Sequence, residues 1–148
     1  MKAITIHQPW ATLIALGEKR YETRSWATNY RGQFAIHAAK KVDKDICRLE
    51  PYKSVLEKHG YTADNLPTGC IVATCQLSEC HQVRSDDGKM ATIIDPINVI
   101  TGNEYEFGWY AAGRFAWEMS DVKQTDPVPA KGQQGLWNWG GERAASRT

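Results

Sequence analysis

The 148-residue sequence lacks most of the features that classify a chain at a glance. No apolar run approaches the roughly 18 residues that a membrane-spanning helix needs. Its start, MKAITIHQPW, has neither the long apolar core nor the small-residue cleavage site of a secretory signal, so a cytoplasmic protein is expected, with no membrane partner. Charge of one sign is also scarce. Lys and Arg number 18 against 17 Asp and Glu, a net charge of +1, which is not the overall basicity of a protein that coats nucleic acid indiscriminately. Polyanion binding would have to come from a local patch. The four cysteines, Cys47, Cys70, Cys75 and Cys80, fit no zinc pattern, in which pairs stand about two to four residues apart. His81 follows Cys80, but adjacent residues on a strand point to opposite faces. No metal is therefore expected, and disulfides are unexpected in a reducing compartment. There is no phosphate-binding loop, GxSxG, HExxH or kinase motif, and nothing calls for a cofactor.

What is present is an ordinary globular balance, 42% hydrophobic and 24% charged, at a length that suits one domain, read as residues 1–140 with a frayed tail at 141–148. KAITIH alternates and is rich in β-branched residues, which predicts a first strand. QPWATLIALG predicts a helix, with Pro9 in its first turn and Gly17 just past its end. KRYETRSW and QFAIHAAK are strand candidates, separated by a turn at Gly32. DKDICRLEPYKSVLEKHG is helical in pattern, capped at Asp43, interrupted at Pro51 and stopped at Gly60. GCIVATCQLSECHQV is the longest strand-like run, and GRFAWEMSDVK is another. Residues 84–105 read as irregular, with room for one short helix. DPVPAKGQQGLWNW is rich in Pro and Gly and ends in a short aromatic strand. The result is an α+β chain of about five or six mainly antiparallel strands, a number able to close into a small β-barrel.

The densest chemistry is in GEKRYETRSW. On a regular strand Glu22 and Arg24 share a face, and Lys19 can reach round to them from the preceding loop. One reading is a surface ion-pair set, worth at most about a kcal/mol per pair. The other is a site in which Lys19 and Arg24 offer positive charge and Glu22 an acceptor or base. Arg20, Arg31, Lys40 and Lys41 extend the basic patch, or else belong to an evenly charged surface. His7 and His37 lie in strand candidates. His37 is flanked by alanines in AIHAAK, which leaves space beside it, although a hydrogen-bonded structural role accounts for it too. Gln8 falls at a strand-to-helix turn. The six tryptophans include Trp26, which can serve as a stacking platform for a base or as core.

The segment TIHQPWATLIALGEKRYETRSWATNYRGQFAIHAAK, Thr5 to Lys40, resembles the ASCH domain family of the PUA-like superfamily, in its small stand-alone bacterial or phage form. The diagnostic G-x-K-x-x-E-x-R is met at Gly17, Lys19, Glu22 and Arg24. The likeness continues through PTGCIVATCQL, GRFAWEM and PVPAKGQQGLWNW, so only residues 84–105 and the tail fall outside it. The resemblance implies a PUA-like barrel with helices packed at its ends, and an RNA or nucleoside partner held in a cleft on that segment. It implies a binding set of Gln8, Trp10, Lys19, Glu22, Arg24, Trp26, His37 and Lys40. Some members remove the acetyl group from N4-acetylcytidine using a lysine, a threonine and a glutamate, and at least one is a ribonuclease. Lys19 stands at that lysine and Glu22 at the threonine, which makes Lys19 and Glu22 the candidate catalytic pair of a metal-free hydrolase.

Overall fold

The computed structural model describes residues 1–140, and the expected tail at 141–148 lies outside them. The chain divides into two compact units. One comprises residues 1–18, 33–75 and 121 onward; the other comprises 19–32 and 76–120. No described helix is long and apolar enough to cross a membrane.

In the first unit, strand β1 (Lys2–Gln8) runs parallel to β3 (Gly32–Val42) and antiparallel to β8 (Leu136–Asn138). β4 (Cys70–Asp86) begins here beside β3, giving the hydrogen-bonded order β4-β3-β1-β8. Helix α1 (Trp10–Ala15) buries Ala11, Leu13 and Ile14 completely. Its end follows from Gly17, whose φ of +77° lets Gly17 N–H bond to Ile14 O and Glu18 N–H bond back to Leu13 O. The expected long second helix is two short ones, α2 (Lys44–Cys47) and α3 (Tyr52–Lys58), with Pro51 at the start of the latter. The Asp43 carboxylate accepts from Ile46 N–H at 3.0 Å and caps α2. Ala3, Ala35, Ile71, Trp137 and Trp139 form a core cluster of this unit, so the two alternating tryptophans of LWNW do face inward together.

In the second unit, β2 (Tyr21–Arg24) pairs antiparallel with β7 (Phe115–Pro129). The later part of β4 pairs with β5 (Ala91–Ile93), and β5 pairs with β6 (Asn98–Ile100). A short helix, α4 (Gly102–Glu106), follows. Residues 84–105, expected to be irregular, thus carry a small hairpin as well as the helix. Burial explains why: Ala91, Ile93 and Ile100 pack with Tyr21, Val83, Tyr110 and Ala116 in one cluster. β7 also outruns its expected length and continues through Pro127 to Pro129.

The fold is therefore mixed α+β and dominated by sheet, with eight strands. A closed barrel was expected, and here the structure corrects the sequence. In neither unit do the described strands pair back into a ring, and the sheet is open. The strands at the ends of these paths, β2, β6 and β8, have only three or four residues each, which limits the unpaired edge each exposes.

Candidate functional site

Lys19, Glu22, Arg24 and Trp26 all lie in the second unit, on or beside β2. The carboxylate of Glu104 in α4 fixes the start of that strand, accepting from Arg20 N–H at 2.8 Å and Tyr21 N–H at 3.3 Å. Lys19 is 1% exposed. Its ammonium donates to the Tyr21 carbonyl and stands 3.5 Å from Glu22 Oε1. Arg24 holds the other carboxylate oxygen through Nε at 3.0 Å and Nη2 at 2.9 Å. Glu22 is thus gripped from both sides, one oxygen facing Lys19 and the other forked by Arg24. The set is too enclosed to be a solvated surface network. Only Arg24 keeps a quarter of its side chain in solvent.

Two aromatic groups accompany these charges. Trp26 is partly exposed and stands edge-on to the buried Trp117, with ring centroids 4.7 Å apart and planes at 90°. Its carbonyl also accepts from Trp117 Nε1–H at 3.2 Å. Trp109 is 68% exposed and carries the Arg114 guanidinium 4.0 Å above its ring. Trp109 N–H donates to Thr23 Oγ1 at 2.9 Å, tying this aromatic to β2. Partial burial lowers the Arg114 pKa; Glu22 works against that shift and Arg24 adds to it. Sequence reading missed Arg114, Glu104 and the role of Trp109. Each is separated from β2 by about eighty residues or more, and only the β2–β7 pairing and the α4 contact bring them close.

The remaining candidates, Gln8, Trp10, His37 and Lys40, belong to the first unit. Gln8 is fully buried and serves the fold. Its Oε1 accepts from Thr12 N–H at 2.9 Å, and its Nε2 donates to Thr12 Oγ1 and Pro67 O, both at 2.7 Å. Trp10 Nε1 donates to Tyr52 Oη at 3.1 Å, with the two rings edge-on. His37 and Lys40 line a common cavity, whereas Gln8 and Trp10 are not in its walls. His7 is exposed. No cluster of three or more His, Cys, Asp or Glu residues arranged to hold a metal ion occurs among the described residues.

These are the parts of a protein that sets guarded cations beside aromatic faces on a small mixed sheet, and the chain belongs to the ASCH domain family, which it matches over residues 4–129. It is similar to Activating signal cointegrator 1 of Homo sapiens, 34% identical over 80 residues, and to the same degree to Activating signal cointegrator 1 of Mus musculus. The matched stretch is 52% of this chain and 14% of each of those longer proteins.

Proposed function

We propose that this chain binds RNA, or a modified nucleoside within it, through the cationic and aromatic surface built on the G-x-K-x-x-E-x-R segment of a PUA-like fold. The observation that carries this reading is the pairing of exposed aromatic rings with oriented guanidinium groups. Arg24 is aimed by Glu22, and Arg114 is stacked on Trp109. Guanidinium groups suit phosphate oxygens, and aromatic faces accept any base. Glu22 then orients cations instead of meeting the ligand itself. Titration of a fluorescently labelled single-stranded RNA into the protein tests this. Trp26→Ala is expected to weaken binding by about 1–3 kcal/mol, the usual loss for one stacked base. Unchanged affinity in both Trp26→Ala and Arg24→Gln would refute the assignment.

A second reading rests on the buried Lys19–Glu22 pair, which has the composition of a hydrolytic centre acting on an acylated cytidine. Glu22 would activate water and Lys19 would steady the oxyanion. With both carboxylate oxygens already engaged by cations, Glu22 has little freedom to take a proton, so binding is preferred. Incubation with N4-acetylcytidine decides the matter: turnover that disappears in Glu22→Gln establishes the hydrolase, and cleavage of the RNA probe in the same assay would instead establish a nuclease.

A further inference from the structure

The first unit contains a cavity of about 810 Å³ that the proposed function does not use. Its walls include Thr5, His37, Lys40, Lys131, Gly132 and Gln133. His37 is 3% exposed. Its Nε2 lies 2.7 Å from the Ala130 carbonyl, and a carbonyl only accepts, so Nε2 carries the hydrogen. In the neutral ring this leaves Nδ1 as a bare acceptor. Nδ1 is buried and has no hydrogen-bond partner. Such a group is costly unless something donates to it.

The loop opposite is shaped to this ring. A Cβ on Gly132 would fall 2.7 Å from both His37 Cε1 and Thr5 Oγ1, and 2.8 Å from His37 Nδ1. The Gly132 backbone is outside the left-handed range, so glycine is needed there for closeness and not for its φ. Behind the ring, Trp137 stands edge-on at 5.6 Å and donates through Nε1 to Thr5 Oγ1 at 3.1 Å. The histidine is therefore held in place, and its free acceptor is kept beside a cavity that two lysines and a glutamine amide also line.

We infer that this cavity binds a nucleoside monophosphate. An N–H of the base edge would donate to His37 Nδ1, and Lys40 and Lys131 would attract the phosphate. A volume of this size accommodates such a ligand. The donor requirement comes from the tautomer, and the anion requirement from the lysines. Neither depends on the Lys19 cluster, so this site stands or falls independently of the RNA-binding proposal.

The experiment follows the ring nitrogens of His37 by NMR in histidine-labelled protein while cytidine monophosphate, cytidine or inorganic phosphate is added. The nucleotide is expected to move the Nδ1 resonance and to bind at least tenfold more tightly than cytidine or phosphate alone. The double variant Lys40→Gln/Lys131→Gln changes two exposed side chains, folds normally, and is expected to weaken nucleotide binding about tenfold or more. Gly132→Ala, if it folds, is expected to abolish the shift. The proposal is overturned if no addition moves Nδ1, if phosphate alone reproduces the nucleotide's effect, or if the double variant binds as the parent does.

Discussion

Lys19 shows how far burial changes the meaning of a charged residue. As one member of an exposed ion-pair set it would contribute at most about a kcal/mol. At 1% exposure its ammonium instead depends on Glu22 and the Tyr21 carbonyl. Glu22→Gln removes the balancing charge and leaves the ammonium buried, a change that typically costs about 3–5 kcal/mol. For a chain of this size that corresponds to a melting temperature lower by roughly 6–20 °C. Lys19→Met keeps most of the buried volume and leaves Glu22 still paired to Arg24, so it is expected to cost less than Glu22→Gln. Thermal melts of the two variants beside the parent test the order, and equal melting of Glu22→Gln and parent would show that the pair contributes nothing. The identities of Lys19, Glu22 and Arg24 were legible because they fall close together on one strand. Their burial was not, because it depends on packing by residues far along the chain. His37 was likewise legible as a candidate through its alanine neighbours, whereas Gly132 and Lys131 are some ninety residues away and reach it only through a folded loop.

Among the elements, legibility followed the length of the period. β1, β3 and the start of β4 have enough alternating or β-branched residues to be recognised, and α1 has both of its punctuation marks, Pro9 and Gly17. β5 and β6 have three residues each, too few to establish a period, and they exist because Ile93 and Ile100 find a core to enter. Links between elements have measurable consequences as well. Glu18, just past α1, accepts from Lys58 Nζ at 2.8 Å and from His59 Nε2 at 2.7 Å at the end of α3. The hydrogen bond from Lys58, followed by that from His59, holds the Glu18 carboxyl below the ordinary carboxylate range. A carboxyl depressed in the folded state stabilises the fold above its unfolded pKa, and that contribution fades as pH falls through the folded value. The groups are partly in solvent, so the effect is expected to stay below about 1 kcal/mol. Chemical denaturation of Glu18→Gln and parent from about pH 6 down to about pH 3 is expected to show a small deficit in the variant that closes on acidification. A gap that widened toward low pH would contradict the assignment.

For the molecule as a whole, near-neutrality sets the terms on which a polyanion can bind. With a net charge of +1 there is no long-range field to gather RNA, and attraction must come from the few cations that the fold holds in place. In the second unit Arg24 and Arg114 are the oriented ones, each beside an aromatic group or a positioning carboxylate. Two or three phosphates is then a reasonable number to engage. Each phosphate neutralised on a single strand contributes about −0.7 to the slope of log affinity against log salt, so a slope of about −1.4 to −2.1 is expected. Raising salt from about 50 to 200 mM should weaken binding roughly tenfold, far less than for a protein that makes many phosphate contacts. Arg24→Gln should make the slope shallower by about 0.7, because one contact is lost, whereas Trp26→Ala should lower affinity at every salt concentration and leave the slope unchanged. Affinity measured by fluorescence anisotropy at four or five salt concentrations separates these effects. A slope near zero in the parent would move the ligand off a backbone-tracking surface and into a nucleoside pocket, and a slope steeper than about −4 would require basic residues well beyond Arg24 and Arg114.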